Sequence, residues 1–335
     1  RDWSSDVCSS DLLKMGDLRF GYQDSCVYLF RAFDFETFMN PLPMFFLQMI
    51  NSTSGRPWSE TDNTNSLMGF FFDITKPNWY IASQILVDDI NATLLKYILG
   101  DLIPALNNIN NLSKVAWSLG GYYQLPFGKI GFYHGGATKH TFPATYVIQN
   151  RNAADSTDER PYYSRLPYEY CYYPATTFLS SGDGGSEIEI PYIENYIGYK
   201  YGENNLAFLV NYTNTFLSNT PWTFDLYTSL EYVISGSKSP ANPWHEYDSW
   251  VEIEPLVELL NENPLEHTLA LIVNLEKRYG PWIFSLSGEL GYLWNELKLT
   301  SVPGRPDEPK IWKPTASQNR ALAALTLGIR YQIDF

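Results

Sequence analysis

The stretch ALAALTLGIRYQIDF, residues 321–335, decides how the rest of the chain is read. Leu325, Leu327, Ile329, Tyr331, Ile333 and Phe335 fall at one parity, and Ala324, Thr326, Gly328, Arg330, Gln332 and Asp334 at the other. Successive side chains of a strand point to opposite faces, so this is a strand with one apolar and one polar stripe. Such a strand suits a wall between hydrocarbon and water.

The 335-residue composition agrees. Aromatic residues make up 16%, including 25 Tyr and 10 Trp, whereas charged residues are only 18%, below the roughly 25% of soluble domains. No segment reaches the 18 or so consecutive apolar residues of a spanning helix, and the densest run, residues 67–72, is short, so any span is made of strands. A soluble all-β sandwich shows the same alternation. The aromatic residues at both ends of the outward stripes favour the membrane, where barrels carry aromatic girdles. The expected fold is all-β: an antiparallel transmembrane β-barrel of outer-membrane type, with short helices in its long loops. The closing strand resembles the C-terminal strand of bacterial outer-membrane barrels, which implies outer-membrane lipid as surroundings and recognition of Phe335 by the barrel-assembly machinery. A net charge of −14 and an isoelectric point near 4.7 argue against nucleic acid, which requires a basic face.

Residues 1–12, RDWSSDVCSSDL, show neither a helical nor a strand period. They resemble the conceptual translation of a sequencing adapter joined to a truncated gene. The expected organisation is therefore a non-native segment over 1–12 and one barrel domain over 13–335, incomplete at its N-terminus. Without Cys8, Cys26 and Cys171 remain far apart, and they read as small hydrophobes rather than a disulfide.

Working back from the end, strands are expected over residues 281–296, 267–279, 220–235, 206–216, 192–202, 168–177, 129–141, 114–125, 79–89, 66–75, 26–35 and 18–23, each near the length a tilted spanning strand needs. Gly280-Pro281 marks a tight turn. Residues 51–65, 143–167, 236–264 and 300–319 separate strands without a repeating pattern, and segments of that kind usually carry function or disorder. Helical spacing of Leu95, Ile98, Leu99, Leu102 and Ile103 predicts a helix over 92–106 that Pro104 ends, and 255–260 suggests one further turn.

Reading from Leu18, LRFGYQDSCVYLFRAFDFETFMNPLPMFF with its Met39-Asn40-Pro41 corner, NSLMGFFFDI from Asn65, NWYIASQILVDDIN from Asn78 and IGYKYGENNLAFLVNY from Ile197 resemble the outer-membrane capsule-assembly Wzi family. The likeness runs from Leu18 to about Tyr212. It implies a monomeric, plugged barrel that holds extracellular polysaccharide without chemistry and without a cofactor. Residues 143–167 and 236–264 match no pattern of that family.

Sugar recognition needs aromatic faces beside planar polar groups. Tyr162, Tyr163 and Arg165, and further on Trp244, His245, Tyr247, Asp248 and Trp250, supply that mixture collectively; taken singly, girdle or loop packing explains each as well. A luminal polar network is expected from Tyr80, Gln84, Asp88, Glu194, Lys200, Glu276, Arg278, Glu289, Arg330 and Asp334, which fall on polar parities and serve to hold the interior together. A porin or substrate-specific channel is the main alternative, its luminal charges selecting solutes. A membrane-embedded hydrolase would need His134, His140, His245 or His267 beside a serine or carboxylate. The spacing of His134 and His140 fits no zinc motif, and Asp183-Gly184-Gly185 reads as a turn.

Overall fold

The computed structural model describes residues 4–29, 64–89, 114–139, 141, 145–148, 162–165, 176–178, 187–189, 199–216, 223–238, 259–300 and 311–332. Its strands are β1 (Ser4–Met15), β2 (Leu18–Leu29), β3 (Thr64–Lys76), β4 (Trp79–Asp89), β5 (Lys114–Leu125), β6 (Gly128–Ala137), β7 (Thr145–Ile148), β8 (Tyr162–Arg165), β9 (Thr176–Phe178), β10 (Glu187–Glu189), β11 (Asn205–Phe216), β12 (Phe224–Ser235), β13 (Glu266–Tyr279), β14 (Trp282–Trp294), β15 (Leu297–Thr300), β16 (Ile311–Pro314) and β17 (Arg320–Tyr331). Eleven of them form one sheet in the order β1-β2-β3-β4-β5-β6-β11-β12-β13-β14-β17. Every neighbouring pair is antiparallel. The sheet is open, with β1 and β17 at its edges. The pairs β7–β8, β9–β10 and β15–β16 are small hairpins within the long connections.

The connections alternate in length. Two-residue turns at Gly16-Asp17, Pro77-Asn78, Pro126-Phe127 and Gly280-Pro281 lie at one end of the sheet. At Gly280, φ is 57°, and the following proline has φ fixed near −65°, so glycine first and proline second give the turn whose twist matches a hairpin. Neighbouring turns are tied together: Thr75 N donates to Asp17 O (3.2 Å), Gln124 N to Asn78 O (2.7 Å) and Gln332 N to Pro281 O (2.8 Å). The connections over 30–63, 90–113, 138–204, 236–265 and 295–319 leave from the other end. Short turns at one rim and long loops at the other is the pattern of outer-membrane barrels.

Register fixes the two faces. Trp282 pairs with Tyr331, Phe284 with Ile329 and Leu286 with Leu327, while Leu290 pairs with Leu271. Leu325, Leu327 and Ile329 are 72, 77 and 69% exposed, and Trp282, Leu286 and Tyr331 are exposed too. The opposite face carries Asp73, Ser229 and Glu231, all buried. Apolar side chains outside and polar ones inside invert the arrangement of a sandwich with a dry core, and this decides between the two readings of the alternation. Aromatic residues ring both rims of the outer face: Trp79, Tyr123, Tyr279, Trp282 and Tyr331 toward the short turns, Trp117, Tyr292 and Trp294 toward the long loops. Trp282 and Trp294 are separated by twelve residues of β14. At about 3.3 Å per residue and a tilt of about 45° they stand about 28 Å apart along the membrane normal, close to the ~30 Å hydrocarbon thickness.

Several expectations are revised. Residues 18–23 and 26–35 do not form two strands: β2 runs unbroken from Leu18 to Leu29, because the Ser25 step keeps the alternation in register with β3. Of the strand expected over 192–202, residues 192–198 lie outside the described residues, and Tyr199 begins a turn closed by Gly202 N donating to Tyr199 O at 2.9 Å, which β11 follows. Residues 4–15, which include most of the segment expected to be non-native, pair along their length with β2. Residues 92–106, expected to be helical, lie outside the described residues.

Candidate functional site

The inner face of the sheet lines two cavities, one above the other. Gln124, Lys129, Thr213, Asp225, Tyr227, Asn274, Glu276 and Ser285 line the one near the short turns, of about 770 Å³. The second, of about 510 Å³, lies toward the long loops between Lys200, Tyr201, Glu231, Glu266, Thr268, Glu289 and Arg320. Its floor is recessed because two of the inward residues there, Ala270 and Gly291, are small. Glu231, Ala270 and Gly291 follow one another across β12, β13 and β14. A Cβ at Gly291 would stand 2.7 Å from Leu269 O, so the close approach of these strands requires glycine.

Charges on this face are mostly compensated. Lys200 Nζ donates to Glu231 Oε1 and Oε2 at 2.9 and 3.0 Å and stands 4.7 Å from the Tyr201 ring centre. Glu276 faces Arg330 at 3.8 Å, Arg278 donates to Gln332 Oε1 at 2.8 Å, and Arg19 pairs with Asp73 at 2.8 Å. Tyr80 stacks on Tyr122, ring centres 5.7 Å apart, and Lys129 Nζ lies 5.0 Å from the Tyr122 ring. Gln84 is exposed opposite Ser118. Glu289, on the β14 wall, makes no hydrogen bond or ion pair among the described residues.

A polar cap closes over the loop-side rim, and its centre is Asn204. Its backbone has a φ of 51°, a left-handed conformation in which asparagine is enriched. Asn204 N donates to Thr138 O (3.3 Å) and Asn204 O accepts from Gly236 N (2.8 Å). Its side-chain nitrogen reaches Ser237 O (3.2 Å) and Glu262 Oε1 (2.9 Å), and its side-chain oxygen accepts from Leu260 N (2.7 Å). One residue thus joins the loop after β6 to the loop after β12. Lys238, wholly buried, exchanges two backbone hydrogen bonds with Trp312 of β16 (2.8 and 2.9 Å) and donates through Nζ to Glu203 O. Leu297 and Trp312 form a small apolar cluster beside it. Burial lowers the Lys238 ammonium to about 8, outweighing the attraction of Glu203, Glu266 and Glu262. Glu296 is held by Lys298 (2.6 Å) and Arg320 (2.9 Å), and Glu266 Oε2 accepts from Leu297 N (2.6 Å).

The structure distributes the residues singled out in the sequence. Tyr80, Gln84, Lys200, Glu276, Arg278, Glu289 and Arg330 belong to the inner face or its covering turn. Glu276, Arg278 and Arg330 cluster near the short turns with Gln332, whereas Glu289 and Lys200 border the upper cavity. Asp88 is the extra residue of a bulge, since Val87 pairs with Val115 and Asp89 with Lys114; the even spacing that grouped it with Tyr80 and Gln84 is broken there. Tyr162, Tyr163 and Arg165 lie in β8, opposite Ile148, Val147 and Thr145 of β7, an ordered hairpin inside a segment read as patternless. Trp244, His245, Tyr247, Asp248, Trp250, Glu194 and Asp334 lie outside the described residues, as do His140 and Phe335. His134 and His267 occupy the outer face. His134 Nε2 accepts from Trp117 Nε1 (3.0 Å) while its other ring nitrogen meets Ala207 O (3.0 Å), and His267 meets the Tyr232 hydroxyl (2.8 Å). The cap residues Asn204, Lys238 and Trp312 escaped the sequence reading because their partners come from three separate connections. The one signal available was the helix-free, polar run GENN, residues 202–205, directly before a strand.

No protein-family model matches this chain, and no curated protein matches it. Among solved structures, a crystal structure of a Pseudomonas aeruginosa FadL homologue is similar at 11% identity and a TM-score of 0.33, over 99% of this chain and 68% of that one.

Proposed function

We propose that this protein is a non-enzymatic outer-membrane barrel that lets small polar solutes pass along its inner face. The observation that carries the proposal is the pair of cavities of about 770 and 510 Å³, each with charged and polar residues in its wall, stacked from the short-turn rim to the cap. An apolar outer belt bounded by aromatic rings sets the barrel in lipid, and an inner face of carboxylates, amides and hydroxyls replaces part of a solute's hydration. In this reading the chain acts as a monomer in the outer membrane, is inserted by the barrel-assembly machinery through its closing strand and Phe335, and needs no cofactor. Holding extracellular polysaccharide, as the Wzi resemblance implies, would draw on Tyr162, Tyr163, Arg165 and the aromatic residues over 244–250; passage draws on the described inner face and is therefore placed first.

The full chain, refolded in detergent and added to planar lipid bilayers in potassium chloride, is expected to give discrete conductance steps. Silent bilayers from protein that shows the heat-modifiable gel migration of a folded barrel would overturn the proposal. Retention of capsular polysaccharide by that same silent protein would replace it with anchoring.

A further inference from the structure

We propose that the upper cavity is a seat for small organic cations, with Glu289 taking the ammonium group; this rests on the conduction reading and names its substrate class. The argument begins with charge compensation. Of the cations on the cavity wall, Lys200 pairs with Glu231, and Arg320 shares Glu296 with Lys298. Of the carboxylates, Glu231 is thereby spent, and Glu266 is turned toward the cap, where it accepts from Leu297 N. Among the described residues Glu289 is the carboxylate of this wall left with no hydrogen bond or ion pair, so its charge is open to a guest.

Its surroundings fit a particular kind of guest. Glu289 stands between Ile272 of β13 and Ala324 of β17, neither of which can hydrogen-bond it through a side chain. Two strands away on the same level, Ser229 Oγ is buried and has no hydrogen-bond partner among the described residues. Above Glu289 the small floor at Ala270 and Gly291 leaves a hollow whose wall also includes Ile272, Val233 and Leu322. A carboxylate beside short apolar walls matches an ammonium head on a short aliphatic body: the carboxylate accepts the N–H groups and the walls cover the methylenes. At 510 Å³ the space lies in the range of small-molecule sites. A neutral sugar would leave the charge unmet, and an anion would be repelled by it.

The test uses the full chain in planar bilayers under a potassium chloride gradient, with n-butylammonium chloride as the organic probe. Wild-type protein is expected to prefer cations, and millimolar n-butylammonium to reduce its potassium current. Removing one unit charge about 4 Å from a cation in a water-filled lumen predicts that Glu289→Gln lowers the cation-to-anion permeability ratio about fivefold. The same variant should relieve the n-butylammonium block, whereas Glu289→Asp keeps both properties. Asp17→Asn, an equal charge change in the Gly16-Asp17 turn far from the cavity, should leave both unchanged. Glu289→Gln has nearly the same shape and breaks no described contact, and heat-modifiable migration verifies that it folds. Absence of conductance from wild type overturns the conduction reading itself. Conductance with equal selectivity and equal block in wild type and Glu289→Gln overturns this inference alone, and a selectivity shift without any n-butylammonium block overturns the organic-cation class.

Discussion

At the scale of single residues, Asn204 shows how one side chain can hold a rim together. Its three side-chain hydrogen bonds, to Ser237, Glu262 and Leu260, are made in a buried place, where losing a partner costs roughly 1–3 kcal/mol per orphaned group. Asn204→Ala is expected to release the loop after β12 while leaving the sheet intact, seen as faster amide exchange at Leu260 and Ser237 with unchanged exchange in β13. Lys238 gives a pH signature. Burial holds its ammonium at about 8 in the folded protein, against 10.5 for a solvent-exposed lysine, so between these values the unfolded chain binds the proton more readily. Cap stability therefore rises with pH across roughly 8 to 10.5 and is flat below, where both states are protonated. The expected readout is a 5-fluorotryptophan NMR signal of Trp312 followed through urea titrations, with the slope abolished in Lys238→Met.

The strand is the scale at which the membrane acts. Leu325 pairs with Gly288, midway between Trp282 and Trp294, which places it near the middle of the hydrocarbon. An arginine there should cost about 2–4 kcal/mol of refolding free energy in vesicles. Thr326→Arg, one residue on and facing inward, should cost much less, and equal losses for both would refute the assignment of faces. Strands of this kind were legible in sequence because a period of two imprints each face directly: β4 and β5 occupy the predicted residues, and β14 and β17 keep the predicted stripes. The bulge at Asp88 escaped the sequence because an added residue leaves no compositional mark. The turn at Tyr199 was read as a strand because its tyrosines happen to alternate with Gly198 and Lys200.

For the molecule as a whole, the edge strand β1 offers a decisive experiment. Its parity shared with Leu13 and Met15 continues upstream as Asp11, Ser9, Val7 and Ser5, which supplies little apolar surface to lipid. Its backbone nevertheless pairs with β2 along its length, so deleting residues 1–12 is expected to lower the refolding free energy in urea by several kcal/mol. An unchanged free energy would place that segment outside the fold.

The sequence by itself determined most of the spanning strands and the face each turns to lipid, because alternation and turn chemistry are local. Only the tertiary structure decided that Lys200 neutralises Glu231, that Asn204 and Lys238 close a cap, and that Glu289 has no partner among the described residues. Those outcomes depend on distances between residues dozens of positions apart, set by register across several strands, and no short window of sequence contains them.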